Sequence, residues 1–216
     1  TNLAERTMRL GGLGLSMPFN QLFTGRRLAD VAANGSFIDA YVGRDAGYLQ
    51  VTRASGEGPV LLVLPEGGGG FEAWSPLRKG ESRDSGNWMH EGLYEVLLHS
   101  RAYSESEWSR DGVHATPWNE PTEARLPPGA SATYGVRLVL APSVERVNDA
   151  LAIAGVPVAM PLPAASLHMG MNATVQLVLP ALASGGGSLR LLSAVAEPAS
   201  AVHVAPGDPT EMACVD

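Results

Sequence analysis

Cysteine is nearly absent. The 216-residue chain holds one, Cys214, which excludes an internal disulfide framework and a cysteine-based zinc site. Lysine is as scarce: Lys79 is the single lysine among 15 basic residues, against 22 acids and a formal charge of −7. That balance argues against nucleic acid, whose phosphates need a basic face, and against a polybasic membrane-surface mode. No run approaches the ~18–20 apolar residues of a spanning helix. Phosphate loops are missing too. Gly11-Gly12-Leu13-Gly14 lacks GxGxxG spacing and Gly67 to Gly70 lacks a GK[ST] ending. There is no Gly-x-Ser-x-Gly nucleophile elbow, no second His four residues after His90-Glu91, and no EF-hand loop. No metal and no cofactor are expected.

What the chain has is glycine and proline, 25 and 16 residues, with apolar segments of period two between them. This favours many short strands over a helical bundle. Strands are expected at Thr7–Leu15, Ser36–Val42, Gly47–Arg53, Pro59–Leu64, Phe71–Leu77, Gly92–His99, Ala132–Leu140, Ala173–Leu179, Ser188–Ala194 and Ala201–Ala205. Val60 to Leu64 is apolar throughout and reads as a strand buried on both faces. Pro142 to Leu151 reads as a helix, with Val144, Val147 and Leu151 on one face and Gly155 and Pro157 ending it. A second short helix is expected within Asn20–Ala32, although Gly25 interrupts it. The fold class is therefore all-β, a large antiparallel β-sandwich with one or two short helices. Val156–Pro163 reads as a linker. The expected domains are a sandwich region over 1–163, missing its first strands, and a truncated further β unit over 164–216.

Residues 81–125 concentrate the chemistry. Three of four Trp, three of five His and nine of 22 acids fall there. Aromatic rings stack on sugar C–H faces, carboxylates accept from hydroxyls, and two carboxylates about 5–10 Å apart carry glycoside hydrolysis. Substrate-binding candidates are Trp88, Trp108 and Trp118 as platforms, with His90, Glu91, Glu95 and Asn119 as polar partners. The competing reading is a solvated excursion whose Trp residues close the sandwich edge. On a strand, Glu91, Leu93, Glu95, Leu97 and His99 share one face, and His90, Gly92, Tyr94, Val96 and Leu98 the other. Two carboxylates and a His on one face fit an exposed groove or a pairing with arginines of a neighbouring strand. Ser104 to Glu107 has the shape of a capping box. Pro117 to Thr122 is a proline-bracketed turn that presents Trp118, or plugs the core with it. Asn34-Gly35-Ser36 and Asn172-Ala173-Thr174 are glycosylation acceptors that lean towards secretion.

Several segments taken in order carry a resemblance. They are Leu13-Gly14-Leu15-Ser16-Met17-Pro18-Phe19-Asn20, Tyr41 to Val51, His99-Ser100-Arg101-Ala102-Tyr103 with Glu107-Trp108, Pro117 to Thr122, Leu126 to Gly129, and Tyr134-Gly135. The set resembles an uncharacterised family of large secreted, glycoside-hydrolase-like proteins of fungi and bacteria. It covers most of residues 7–163 and weakens after about residue 180. The resemblance implies chains several times longer. They would open with a sandwich similar to the mutarotase-like supersandwich and continue into a helical toroid holding the acid and base carboxylates. The expected function is then the non-catalytic sandwich of an extracellular carbohydrate-active enzyme, a fragment lining a sugar cleft and inactive alone. Its partners would be a poly- or oligosaccharide and the remainder of a longer chain. The alternatives are a stand-alone carbohydrate-binding module and a catalytic, epimerase-like sandwich using His90 or His99 with Glu91 or Glu95.

Overall fold

The computed structural model describes residues 1–20, 23, 25–67, 69–76, 94–106, 117, 119–162, 174–178 and 213–215. The chain divides into two compact units, Thr1–Val144 and Glu145–Asp216. The fold is mostly antiparallel β-sheet with a few short helices, as the alternation of strands and turns predicts.

In the first unit, β3 (Ser36–Tyr41), β4 (Tyr48–Arg53), β5 (Val60–Glu66) and β9 (Gly135–Ala141) form a four-stranded sheet in the order β3-β4-β5-β9. Strand β5 lies inside this sheet. Val60, Leu62, Val63 and Leu64 are all 1% exposed or less, so the apolar run is buried on both faces, as expected. A second sheet has the order β2-β7-β6, from β2 (Leu13–Ser16), β6 (Ala73–Pro76) and β7 (Tyr94–His99). The core joins Leu49 and Val63 of the first sheet to Val96 and Leu98 of the second, with Phe71 between elements. Two sheets packed through inward-facing side chains make a sandwich. A two-stranded pair, β1 (Met8–Leu10) with β8 (Ala124–Leu126), completes the sheets of this unit among the described residues.

Several expectations change. The single strand Thr7–Leu15 is two strands in different sheets. The break falls at Gly11-Gly12, where the Gly11 carbonyl accepts from the Ala102 amide at 2.7 Å. That amide opens α2 (Arg101–Ser106), a helix the alternation did not predict. Ser104 lies inside α2 rather than capping a helix, and its hydroxyl donates to the Arg101 carbonyl at 2.9 Å. The helix expected within Asn20–Ala32 starts only at Leu28 and runs to Asn34 (α1). Gly25 takes φ +75° ahead of it, a left-handed turn that helical backbone excludes.

At the start of the second unit, the helix expected from Pro142 begins as a 3₁₀ turn, Val144–Arg146, whose first residue closes the first unit, and becomes α3 at Val147–Ile153. Val147, Ala150 and Leu151 make its buried face, whereas Val144 is exposed. Gly155 ends it at φ +85°. The expected linker contains a strand instead. β10 (Val158–Leu162) pairs with β11 (Thr174–Val178), which pairs with β12 (Ala213–Val215). Pro161 lies in β10, an edge strand of this sheet among the described residues, which is where proline is accepted in a sheet. The strands expected at Ser188–Ala194 and Ala201–Ala205 lie outside the described residues.

Candidate functional site

Where β6 and β7 meet, the sandwich buries a carboxylate. Glu72 precedes β6 and is 3% exposed. Its backbone amide donates to the Leu97 carbonyl at 2.8 Å, which fixes it against β7. A buried carboxylate is tolerable only when its lone pairs are filled. Oε2 accepts from the Ser100 amide at 2.9 Å, the Ser100 hydroxyl at 2.7 Å and the Thr122 amide at 3.0 Å. Oε1 accepts from the Thr122 hydroxyl. Asn119 Nδ2 donates to the Glu72 carbonyl at 2.8 Å. The segment from Asn119 to Thr122 is thus clamped onto the sandwich by one acidic residue. The clamp extends to α2, whose Arg101 amide donates to the Thr122 carbonyl at 3.1 Å.

His99, the last residue of β7, continues the network. Nδ1 lies 2.7 Å from the Thr122 hydroxyl oxygen, and Nε2 lies 2.7 Å from the Tyr134 hydroxyl. The Tyr134 ring meets the imidazole edge-on, with centroids 5.3 Å apart. The proton order follows from the carboxylate. Glu72 is acceptor-only, so the Thr122 hydroxyl hydrogen points at Glu72, and its oxygen must accept from His99 Nδ1–H. Nε2, at the other side of the ring, faces the Tyr134 hydroxyl. The chain Tyr134–His99–Thr122–Glu72 is a directed relay. It links the Tyr134 phenol through one imidazole to a buried carboxylate, the arrangement by which a ring is oriented by a third group.

Of the residues singled out from sequence, Glu95 and Asn119 fall among the described residues, and Trp88, His90, Glu91, Trp108 and Trp118 lie outside them. Glu95 is half-buried in β7 and lies across Gly14 of β2, where a Cβ would stand 2.0 Å from its Oε1. A glycine at 14 is therefore what allows this carboxylate its position. Asn119 spends its Nδ2 on the Glu72 backbone. The face expected to form an exposed groove is covered at its end: Leu97 and His99 are both buried. A β-bulge contributes to this arrangement, since Leu13 pairs with His99 and Gly14 with Leu97, which leaves Leu98 as the extra residue. Asn34 is exposed at the end of α1, and Asn172 lies outside the described residues.

Sequence reasoning missed Glu72, Thr122 and Tyr134 as a unit. The available signal was a lone acid in an apolar strand, Phe71-Glu72-Ala73-Trp74, directly after a run of glycines. Its partners are 28 to 50 residues away, beyond the reach of any local pattern.

Residues 1–185 match the sequence profile of DUF5695, a family of unknown function. The chain belongs to this family. Among curated proteins nothing matches it. Among solved structures it is similar to a chain described as Polysaccharide Lyase BACCELL_00875, with 15% identity and a TM-score of 0.57. The similarity covers 81% of this chain and 22% of that one, so the chain spans about a fifth of that structure. At this identity the likeness is one of fold. It shows that the sandwich of this chain has a counterpart of similar fold in that structure.

Proposed function

We propose that this DUF5695 chain is the sandwich part of an extracellular carbohydrate-active enzyme, a scaffold that lines a sugar cleft whose catalytic carboxylates lie elsewhere. The observation that carries the reading is the shared fold with a polysaccharide lyase chain over four-fifths of this sequence. Two features support it. The Glu72 clamp pins the segment around Asn119 to a rigid sandwich, which is how a loop keeps a fixed wall for a ligand. The exposed Asn34 acceptor is compatible with secretion. No helix among the described residues is long and apolar enough to cross a membrane.

The relay bears on the epimerase-like alternative. His99 is 8% exposed and spends both ring nitrogens on Thr122 and Tyr134. A substrate would meet its acid–base chemistry only through the Tyr134 hydroxyl. A scaffold role is the simpler use of such a network.

The test is binding and turnover measured together. Affinity electrophoresis of the 216-residue chain against a polysaccharide panel should show retardation by at least one neutral polymer, with no release of reducing ends or unsaturated products. Turnover by this chain alone would replace the scaffold reading with a catalytic one. Failure to bind any polymer would remove the carbohydrate reading.

A further inference from the structure

The two sheets of the first unit touch along one side and then part. Gly43, just after β3, bridges antiparallel to Phe71, just before β6, and its amide donates to the Phe71 carbonyl at 2.8 Å. Beyond that bridge no ladder joins β3 to β6 among the described residues. The strands diverge, and a cleft of about 350 Å3 opens between them, a volume in the range of small-ligand sites. Its walls are Ile38, Ala40, Leu49 and Val96, with Trp74 of β6 opposite β3 and Asp39 and Tyr41 at the rim.

The polar groups in this cleft are set by strand geometry. The Ser36 amide donates to Asn20, at 2.8 Å, away from β4, whereas the Gly35 carbonyl accepts from Ala54 at the end of β4, also at 2.8 Å. In an antiparallel strand the N–H and C=O of one residue point to the same side, and the side alternates. Phe37, Asp39 and Tyr41 therefore bond to β4. Ile38 and Ala40 turn both their N–H and C=O away from β4, to an edge that carries no ladder among the described residues and that lines the cleft. An unpaired edge must be paired, blocked or used. Tyr41 is held at the rim by its stack on Tyr48, centroids 4.6 Å apart and planes 17° apart.

We infer that this cleft is a subsite for a neutral pyranose ring. The inference rests on the carbohydrate reading above and names the ligand class and residues. A sugar carries donors and acceptors on every hydroxyl, which suits alternating edge N–H and C=O groups. It also carries an apolar C–H face, which suits the indole of Trp74 and the ring of Tyr41. The charge selects among sugars. Asp39 is the one charged residue among the described residues of the lining, and the whole chain carries −7. A uronic acid would meet a carboxylate, with no cation among the described lining residues to offset it.

The experiment is a glycan array of neutral cello-, manno- and galacto-oligosaccharides and of oligouronides, followed by calorimetry on the 216-residue chain. Two variants test the two halves of the site. Trp74→Ala removes the stacking face. Ala40→Pro removes one edge N–H while leaving the β3–β4 bonds intact, because proline is accepted where the amide faces outward. Both should lose at least about tenfold in affinity for the neutral ligand. Ala40→Pro should keep wild-type circular dichroism and melting, and Ala40→Ser should bind as wild type. Wild-type binding that is unchanged in either Trp74→Ala or Ala40→Pro overturns the subsite and leaves the carbohydrate reading standing. Tighter binding of oligouronides overturns the neutral assignment. No binding to any glycan overturns both readings. So does capture of an extended strand-forming peptide that Ala40→Pro abolishes, since the edge would then be a peptide acceptor.

Discussion

Strand β5 buries Val60, Leu62, Val63 and Leu64 with no charged group among them, whereas across the core β7 runs into a junction built from a carboxylate, two hydroxyls, an imidazole and a phenol. The first is dry throughout; in the second Glu72, His99 and Ser100 are buried and Thr122 and Tyr134 are partly so. They differ in how they are held. The apolar side gains from each methylene removed from water, and neighbours share the loss when one is trimmed. The polar side gains little net free energy from any single bond, but it cannot lose a member without stranding the others in a dry site. A core of the first kind fixes that the sheets pack. A network of the second kind fixes which loop sits where.

The largest effect should come from the apolar side. Phe71 is fully buried between the sheets, and Phe71→Ala should cost about 3–5 kcal/mol by cavity formation. Urea unfolding should show this as a lower midpoint at constant slope. A loss under about 1 kcal/mol would mean that the two sheets do not share one core.

On the polar side, Glu72→Gln should cost about 2–3 kcal/mol, because an amide nitrogen replaces an acceptor that several donors address. Its signature differs from that of a core mutant. Hydrogen exchange should rise at the Ser100 and Thr122 amides first, while the β5 amides stay protected. Uniform loss of protection would mean that the polar junction and the apolar core open as one unit.

A smaller effect should appear at high pH. Burial, then the neighbouring Tyr41 and Asp39, push the Tyr48 phenol up to about 12 from its ordinary value near 10. The folded state thus holds this proton more tightly than the unfolded chain. The stabilisation is complete below pH 10 and is lost as pH rises through about 12. For a half-buried ring screened by water the loss is at most about 1 kcal/mol. Absorbance at the tyrosinate band should show a late step near pH 12 that Tyr48→Phe removes. If the step stays, the Tyr41–Tyr48 stack does not hold in solution.

The smallest effect should be at Ser36. Its buried hydroxyl has no hydrogen-bond partner among the described residues. Ser36→Ala should be neutral or stabilising by under about 1 kcal/mol in the same unfolding assay. A clear destabilisation would reveal a polar contact on a face that otherwise belongs to the apolar region.

The exposed ion pairs teach a related point about acids. Glu123 accepts from Arg9 at 2.5 and 2.9 Å and from Arg125 at 2.6 Å, and these bonds hold its carboxyl below the usual carboxylate range. Both arginines are largely exposed, so salt and solvent screen the pairs. Glu72, addressed mainly by uncharged donors but dry, is the stronger organiser.

How much was legible depends on the range of the signal. The Val60 to Leu64 run, Gly155 as helix terminator and the strands around Tyr48 and Thr174 rest on local periodicity, and each stands where expected. The break at Gly11-Gly12, helix α2 and strand β10 do not rest on local periodicity. Gly11 is set by a contact to Ala102, and Val158–Leu162 is a strand because β11 lies beside it. At the site, sequence pointed to a carboxylate-and-histidine face on β7 and to Asn119. It did not point to Glu72, which joins His99, through Thr122, to Asn119.

The sequence by itself determined an acidic, cysteine-poor, strand-rich sandwich, because burial and turn preferences act over a few residues and leave a readable period. Only the tertiary structure decided that Glu72 faces Thr122, that His99 is committed to Tyr134, and that β3 and β6 part to leave a cleft. Those are pairings between residues tens of positions apart. A carboxylate's partners are chosen by the approach of whole sheets, which no local pattern encodes.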